Sequence, residues 1–302
     1  MTLSCYNIVK RRSLNKNKIT MTLSCINSVK RGADNKRPPV STLYTDVASI
    51  GDCSGSMGST NGGSQHGARE YMKKQFENSN KNKPILGYHV EFTTFDTRSE
   101  THFNDDASKI NEDVLTNVYH SMKPKGRTRL FDTAIEAVQR QMKRLDNVKS
   151  SLSQEVINLV NDCPWLIAAT TAVMTDGMDN ESKYGSMANC NNIFKKFRKE
   201  YGGIAFFIAA NQDAAYKASE YGFDPKFSLQ MGNDRMSAIN AASATAVAQC
   251  RSVSSGSSIN VPSFTPMERE QSVSQKVYID NSVVPPPPTL RASNSIRRNL
   301  FP

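Results

Sequence analysis

Between residues 44 and 251, short apolar stretches alternate with longer segments in which hydrophobic side chains recur every three or four positions. The first pattern is typical of buried strands and the second of amphipathic helices. Strands are therefore predicted at 47–51, 88–95, 165–174 and 204–210, with 98–103 as a hairpin partner of the second. Helices are predicted at 66–77, 110–122, 132–145, 186–201, 212–221 and 233–251.

The alternation of strands and helices predicts a mostly parallel sheet with helices on both faces, which is the doubly wound α/β class. Segment 204–210, IAFFIAA, is almost entirely apolar, as a strand in the middle of such a sheet should be. Gly51 is less favourable, because a glycine at the end of the first strand, VASIG, weakens strand packing. We therefore expect that strand to be locally weak.

The segments outside this region have a different composition. Residues 1–40 contain a 20-residue tandem repeat that begins MTLSC at both Met1 and Met21. The repeat is interpreted either as a duplicated docking peptide or as a duplication without function, with Met21 as the working start. Residues 252–302 combine Ser-rich stretches with the run VVPPPPTL, a composition that predicts an extended tail and a candidate docking segment. The predicted organisation is a basic tail at 1–40, a globular domain at 41–251 and a second tail at 252–302.

The net charge of +10 is concentrated in the tails. Residues 1–40 hold nine Lys and Arg against one acid, residues 251–302 hold six against three, and residues 41–250 hold 23 against 24. Basic tails bind nucleic acid without base specificity. Because aromatic residues are not interleaved with these charges in the way that proteins binding single-stranded nucleic acid use, we favour a solubilising role and keep nucleic acid as a weaker candidate partner.

Cysteine usage and hydropathy suggest where the protein resides. The six cysteines form no CxxC pair, and the four histidines are too scattered to complete a zinc site. Reduced thiols are typical of intracellular proteins, so we expect a cytoplasmic location, with a virion as a further candidate. No apolar run reaches the roughly 18 residues that span a membrane, and the first residues do not form a clear signal peptide.

Residues 51–60, GDCSGSMGST, have two interpretations. Asp52, Ser54 and Ser56 alternate along the loop, as ligands on one side of a metal site would. Residues 51–55 of the same loop also read G-x-C-x-G, a cysteine variant of a nucleophile elbow. A cysteine hydrolase also needs a base and an orienting acid, and neither His102 nor His120 stands in a suitable loop.

Two further loops favour the metal interpretation. Thr128 lies in GRTRLFD, which opens the strongest predicted helix, and Asp176 lies in TDG, directly after the strand predicted at 165–174. Loops at the carboxyl ends of parallel strands meet at one edge of a sheet. Hydroxyl and carboxylate oxygens suit a hard divalent cation. Mg²⁺ is the predicted metal, and Mn²⁺ and Ca²⁺ are the alternatives.

These three loops resemble the metal-ion-dependent adhesion site of von Willebrand factor A (VWA) domains. The family pattern D-x-S-x-S matches Asp52, Ser54 and Ser56, the family threonine matches Thr128, and the T-D-G aspartate matches Asp176. The segments LTNVYHSMKPKGRTRLFDTAIEAV, MTDGMDNES and GGIAFFIAANQDAAYKASEYGF also resemble a microbial and viral intracellular subfamily. The resemblance extends from about residue 44 to 251 and implies the strand order 3-2-1-4-5-6, with strand 3 antiparallel.

The residues around the predicted ligands have more than one interpretation. Asp132, Asn180 and Glu181 are candidates for residues that support the ligands or rim the site, although we favour a solvated helix start for the last two. Asn211 and Asp213 end the next predicted strand, where a supporting role and helix capping are equally compatible with the sequence.

The resemblance implies that the metal leaves one position for a carboxylate from a protein partner. We therefore expect a metal-dependent adhesion or scaffold domain, with no catalytic residues. A metal-dependent phosphatase would need a further carboxylate base or a second metal, and the sequence offers neither. The alternative is a structural protein, such as a minor capsid component, whose tails tie subunits together and whose metal site is vestigial.

Overall fold

The computed structural model describes residues 42–162, 166–177, 179–210, 213–254 and 264–273. In that part of the chain the strands are β1 (Tyr44–Asp52), β2 (Gly87–Phe95), β3 (Ser99–Asp106), β4 (Ile167–Thr175), β5 (Ile204–Ala210) and β6 (Ser228–Met231). The α-helices are α1 (Gly63–Asn82), α2 (Glu112–Ser121), α3 (Leu130–Ser151), α4 (Gln154–Asp162), α5 (Met187–Tyr201), α6 (Ala214–Tyr221), α7 (Arg235–Ser254) and α8 (Pro266–Val273).

The strands form one sheet in the order β3-β2-β1-β4-β5-β6. Every neighbouring pair is parallel except β2 and β3, which form an antiparallel pair. This confirms the predicted doubly wound α/β class and the predicted strand order. The hydrophobic pattern does not locate β6, because four residues are too few to show a period, nor does it locate α4.

Helices cover both faces of the sheet. On one face α3, α4, α5 and α6 pack against apolar side chains of β1, β4 and β5, including Phe207 and Val173. On the other face α1, α2 and α7 pack against side chains such as Val90, Phe92 and Phe206. β1 therefore lies in the centre of a sheet that is buried on both sides, as parallel sheets require.

Gly51 has a steric role that its poor strand propensity hides. A Cβ at this position would lie 2.7 Å from Sδ of Met122 and 3.5 Å from Cζ of Phe92. Both of these side chains are fully buried. The absence of a side chain at Gly51 therefore leaves space that the side chain of Met122 fills. Met122 supplies the packing that the glycine cannot.

A cluster of charged side chains lies buried between β1, β2 and α3. Asp46 and Glu91 have no exposed surface. Arg144 donates from Nε to Oδ2 of Asp46 at 2.9 Å and also contacts Glu91. Arg140 donates from Nη2 to Oε1 of Glu91 at 2.6 Å. Buried charges that are paired in this way stabilise the fold only as a set, because removing one member leaves another uncompensated.

The folded part of the chain extends beyond the predicted boundary at residue 251. Helix α7 continues to Ser254, and the side chain of Phe264 is buried against the ring of Phe206, with 5.9 Å between centroids. Arg251 forms two hydrogen bonds to the carboxylate of Glu268 in α8, at 2.7 and 2.9 Å. Residues 264–273 are therefore part of the domain, which corrects the prediction of an extended tail for that stretch. The pattern misses this segment because its single buried aromatic residue shows no periodicity.

The predicted tail at 1–40, the Pro-rich run and residues after 273 lie outside the described residues. Within the described part, no helix combines the length and apolar character needed to cross a lipid bilayer.

Candidate metal centre

Asp52, at the carboxyl end of β1, is the most buried member of the candidate site. Its Oδ1 accepts a hydrogen bond from the backbone N–H of Ser54 at 2.7 Å, and its Oδ2 accepts one from the hydroxyl of Thr175 at 2.6 Å. A short 3-10 turn, Gly55–Thr60, follows directly. That turn places Oγ of Ser56 3.0 Å from Oγ of Ser54. The alternation of the three residues therefore brings their oxygens together on one side of the loop.

Thr128 reaches the site on the link between α2 and α3, which is tied to the ends of β1 and β2. Gly126 has a φ of 67°, a conformation that favours glycine, and its carbonyl accepts a hydrogen bond from the N–H of Gly55 at 3.1 Å. The N–H of Arg129 donates to the carbonyl of Asp96 at 3.0 Å. These backbone contacts fix the position of Thr128 between them.

Asp176, directly after β4, completes the set. Its Oδ1 accepts a hydrogen bond from the hydroxyl of Ser56 at 2.7 Å. A Cβ at Gly177 would lie 3.5 Å from Oγ1 of Thr128 and 3.7 Å from Oγ of Ser56. The glycine thus keeps a small space open beside two hydroxyls. The structure brings all five predicted ligands into one cluster from three distant parts of the chain.

The two carboxylates of the cluster lack a positive partner among the described residues. Burial raises the pKa of Asp52 to about 6, and the nearby charge of Asp176 adds to the effect. Burial also raises the pKa of Asp176. The ion pairs found in the described chain involve neither residue, whereas Glu91, which is as buried as Asp52, contacts Arg140 and Arg144. A cation beside Asp52 and Asp176 would supply the missing charge.

The donor chemistry of the cluster fits a hard divalent cation. It offers two carboxylates and three hydroxyls, all of them oxygen donors, and oxygen is what Mg²⁺ and Ca²⁺ prefer. Within the described residues, no three His, Cys, Asp or Glu side chains are grouped so that they could hold a metal. The hydroxyls are therefore indispensable to the candidate site. When bound, a divalent cation would supply an electrophilic centre for an external carboxylate.

The geometry around Cys53 disfavours the reactive-thiol interpretation of the same loop. The thiol is buried and donates to the carbonyl of Phe95, with 3.2 Å between Sγ and O. Burial raises the pKa of Cys53 to about 11, so little thiolate is present at neutral pH. The Nε2 atom of His102 lies 2.7 Å from Oγ1 of Thr94 instead.

Asp132 was predicted either to support the ligands or to rim the site, and the structure places it beneath the loop that follows β4. Its carboxylate accepts hydrogen bonds from the backbone N–H groups of Lys183, Tyr184 and Gly185, the first two at 2.8 and 3.1 Å. Arg129 adds a contact from Nε at 2.9 Å. Burial acts to raise the pKa of Asp132, but these donors outweigh it and lower the pKa. Asp132 is an anchor for the loop, because its oxygens are already used by backbone donors.

Asn180 and Glu181 lie beside Thr128. The side-chain oxygen of Asn180 accepts from the N–H of Thr128 at 2.9 Å, and the backbone N–H groups of both residues donate to the Thr128 carbonyl at 3.0 and 3.1 Å. Glu181 also contacts Nη1 of Arg127 at 3.3 Å. The favoured interpretation of a solvated helix start is wrong, because α5 begins only at Met187. Asn180 instead holds Thr128 in position.

Asp213 has a capping role. Its Oδ1 accepts hydrogen bonds from the N–H groups of Ala215 and Tyr216 at 3.0 and 3.1 Å, which caps α6. Of the two interpretations left open by the sequence, helix capping is the one seen. Asn211 lies outside the described residues.

Two residues that support the site do not stand out in the sequence. Thr175 holds Asp52 through its hydroxyl. Asp179 accepts hydrogen bonds from the N–H of Phe131 at 3.2 Å and from the hydroxyl of Ser182 at 2.5 Å, which joins the loop after β4 to the start of α3. The density of Asp, Asn and Ser in MTDGMDNES is the available signal, since these side chains readily bond to nearby backbone.

The strand order, with β1 and β4 parallel at its centre, is that of a VWA domain, and so is the meeting of the two loops at their carboxyl ends with the link between α2 and α3. The described part of the chain therefore has a VWA-type α/β fold. The microbial and viral subfamily stays a prediction.

Similar solved structures include proximal thread matrix protein 1 from the mussel byssus, at 14% identity and a TM-score of 0.45, covering 70% of this chain and 48% of that one. A von Willebrand factor type A protein from Catenulispora acidiphila has 12% identity and a TM-score of 0.45, and the match covers 70% of this chain and 43% of that protein. The vWF domain of the pilus tip protein Mfa5 from Porphyromonas gingivalis has 12% identity and a TM-score of 0.45, covering 71% and 96%.

At these identities the likeness concerns the fold alone, and the chain spans less than half of the first two structures. No protein-family model matches the chain, and no curated protein matches it in sequence.

Proposed function

We propose that this chain is a divalent-metal-dependent protein-binding domain, with an adhesion or scaffold role, that captures an acidic side chain of a partner at a Mg²⁺-type site. The observation that carries the proposal is the cluster formed by Asp52, Ser54, Ser56, Thr128 and Asp176. Its two carboxylates are half or more buried and have raised pKa values, yet no cationic side chain among the described residues pairs with them.

The small number of carboxylates supports a role in binding an external acid. Two negative charges only neutralise a divalent cation, and hydroxyl ligands add no charge, so the ion stays attractive to a further carboxylate. Ser56 is exposed, so the cluster is open to solvent on that side. The chain's own residues therefore bind and orient the metal, and they leave room for a group from outside.

Calorimetry on the full chain tests the metal step. Titration with Mg²⁺ and with Mn²⁺ is expected to give saturable binding to the wild type and none to the Asp52→Ala and Thr128→Ala variants. Thr116→Ala, at an exposed position of α2, is the matched control and should bind like the wild type. If the wild type and both site variants give the same null signal, the proposed function is wrong. A parallel titration with Ca²⁺ decides which metal the site prefers.

We also propose that the protein works inside the cell or in a virion. The buried thiols of Cys53 and Cys190 support a reducing compartment. Thiol counting on protein purified under non-reducing conditions is expected to find its cysteines reduced. Intermolecular or intramolecular disulfides in that material would contradict the proposal.

A further inference from the structure

More than half of the large apolar side chains exposed among the described residues lie at the carboxyl edge of the sheet, which also carries the candidate metal centre. Among the described residues, seven large hydrophobic side chains are exposed. Four of them, Tyr184, Met187, Tyr216 and Met236, lie in the loop after β4 or in the first turns of α5, α6 and α7. Each of those helices follows a parallel strand, so each begins at the carboxyl edge of the sheet, where Asp52 and Asp176 lie.

The connections show that these side chains lie to one side of the site. The N–H of Tyr184 is held by Asp132, at the start of α3. Met187 is the first residue of α5, directly after the loop that carries Asp176. The start of α7 contacts the start of α1, because a Cβ at Gly63 would lie 3.1 Å from the carbonyl oxygen of Asp234. The apolar side chains therefore extend over the ends of β4, β5 and β6, which we call the apolar side.

The opposite side of the site carries positive charge. Arg98 is exposed in the turn between β2 and β3, and Lys123, Lys125 and Arg127 are exposed on the link that carries Thr128. The link lies against the end of β1, because the N–H of Lys125 donates to the carbonyl of Cys53 at 2.7 Å. These residues therefore cover the ends of β1 and β2, which we call the basic side.

The carboxylates near the basic side do not cancel its outward charge. Lys125 lies 3.7 Å from Asp96 and Arg127 lies 3.3 Å from Glu181. The two cations are 61% and 73% exposed, whereas the two carboxylates are only 14% and 21% exposed. Glu100, two residues after Arg98 and 70% exposed, offsets only one of the four exposed cations, so the surface that a partner meets stays net cationic on this side.

From this asymmetry we propose that the partner presents a short acidic segment of fixed direction. Its central carboxylate reaches the metal, a second acidic residue lies over the basic side, and an aromatic or aliphatic residue lies over the apolar side. The proposal rests on the proposed function and adds the chemistry of the partner to it. Charge complementarity with the basic side favours the second acidic residue of the segment. Exposed tyrosine and methionine, which are enriched at protein interfaces, favour an aromatic or aliphatic residue over the apolar side.

The width of the surface sets the length of the segment. Neighbouring strands lie about 4.8 Å apart, so the ends of β2, β1, β4 and β5 span about 14 Å. An extended chain advances about 3.3 Å per residue, so about five residues bridge the two sides. A single acidic side chain would use only the centre of this surface.

The experiment is a selection from a random peptide library displayed on phage, with the full chain immobilised in Mg²⁺. Elution with EDTA collects only peptides held through the metal, so peptides bound to the basic tails are left behind. We expect the eluted peptides to share a central acidic residue, a second acid on one side and an aromatic or aliphatic residue on the other. Tyr184→Ser should remove the apolar preference, and Arg127→Gln should remove the preference for the second acid.

Exposed residues away from the site provide matched controls. Met267→Ser in α8 and Lys199→Gln near the end of α5 should return the wild-type consensus. For a synthetic peptide of that consensus, fluorescence anisotropy should show about tenfold weaker binding to Tyr184→Ser, which corresponds to about 1.4 kcal/mol, because tyrosine is a residue type that often dominates interfaces. Equal affinity for Tyr184→Ser and for wild type would overturn the proposed contact between the partner and the apolar side.

The outcomes separate the two proposals. If EDTA elutes peptides that share an acid but have no preference on either side, the proposed function stands and this inference fails. If the eluted peptides show no acidic residue in common, both fail. If Arg127→Gln and Tyr184→Ser return the wild-type consensus, the surface assigned here is not the one that selects the partner.

Discussion

At the scale of single residues, Gly51 illustrates a position whose role depends on a neighbour far away in the chain. The sequence predicts a weak strand end, whereas the structure shows that Met122 occupies the space of the absent side chain. Replacing Gly51 by alanine should therefore destabilise the domain through overpacking, by about 1–3 kcal/mol. Urea unfolding of the Gly51→Ala variant measures the change in the free energy of unfolding.

Gly58→Ala is the control for that prediction, because a Cβ at Gly58 would meet no atom within 4 Å. A double variant that also carries Met122→Ala should show less than the sum of the two single effects, since the clash is then removed. Strict additivity would show that Met122 is not the cause.

Glu91 gives the stability of the domain a predictable dependence on pH. Burial acts to raise the pKa of Glu91, but Arg144 and Arg140 outweigh it and lower the pKa below its usual value. A carboxylate with a lowered pKa contributes stability above its unfolded-state pKa of about 4.3, and the contribution is lost as the pH falls through the folded-state value. Glu91→Gln should therefore cost about 3 kcal/mol at pH 7 and progressively less below pH 4.

Urea unfolding at pH 7, 5 and 3.5 checks the Glu91 prediction. Glu112→Gln serves as the control, because Glu112 pairs with Arg69 at 2.7 Å on the surface, where such a pair contributes below about 1 kcal/mol. A difference between wild type and Glu91→Gln that stays constant over this pH range would argue against the assigned ion pairs.

At the scale of elements, the loop between β4 and α5 depends on the start of α3 for its shape. Asp132→Ala removes the acceptor for three backbone N–H groups of that loop. We expect Mg²⁺ affinity to fall by about 10–100-fold, as it does when residues that orient metal ligands are removed. Calorimetry measures the affinity, and hydrogen exchange at Lys183 and Tyr184 reports the loosened loop.

Asp146→Ala is a suitable comparison, because Asp146 is exposed and its carboxylate contacts only the hydroxyl of Tyr201 among the hydrogen bonds described, at 3.0 Å. Its effects on both measurements should be small. Faster exchange with unchanged Mg²⁺ affinity would show that the loop is not needed to hold the metal ligands.

Helix α8 and Phe264, which lies two residues before it, close the sheet at its β6 edge. Arg269 donates to the carbonyl of Ser228 at 2.8 Å, and the carbonyl of Ser272 accepts from the N–H of Gly232 at 2.8 Å. Phe264→Ala would leave a cavity beside Phe206, and we expect a loss of about 3 kcal/mol in the free energy of unfolding.

The matched control for Phe264→Ala is Met267→Ala, since Met267 is exposed in the same segment and should change the free energy of unfolding by less than about 0.5 kcal/mol. Denaturant unfolding distinguishes the two. If Phe264→Ala is as mild as Met267→Ala, residues 264–273 do not contribute to the domain.

At the scale of the whole molecule, metal binding should stabilise the fold. The candidate ligands come from three loops that meet only in the folded chain, so a metal held there favours the folded state. At Mg²⁺ concentrations about a hundredfold above the dissociation constant, the gain is about 2.7 kcal/mol. For a domain of this size we expect the melting temperature to rise by about 5–10 °C relative to EDTA.

Thermal unfolding of the wild type and the Thr128→Ala variant checks this expectation. The variant should melt at the same temperature with Mg²⁺ and with EDTA. An equal rise in both proteins would indicate a general ionic effect, not binding at the proposed site.

The sequence by itself determined the α/β class and most of the elements, because hydrophobic period reports which face of a segment is buried. It also offered Asp52, Ser54, Ser56, Thr128 and Asp176 as ligands, but only through their joint match to the VWA metal-site pattern, because a short Asp/Ser motif alone occurs by chance. It did not locate β6 or α4, and it ended the domain before Phe264. Those elements are short, or depend on one side chain, so the chain alone carries too little periodic signal.

Only the tertiary structure decided what the neighbouring residues do. The sequence left open whether Asp132 and Asn180 support the ligands or rim the site. The structure shows that Asp132 anchors a loop and that Asn180 holds Thr128, through backbone groups some 50 residues away. The same holds for Gly51 and Met122, and for the basic and apolar sides of the candidate site. Composition shows which groups a chain possesses, but the order in which its strands pair decides which groups meet.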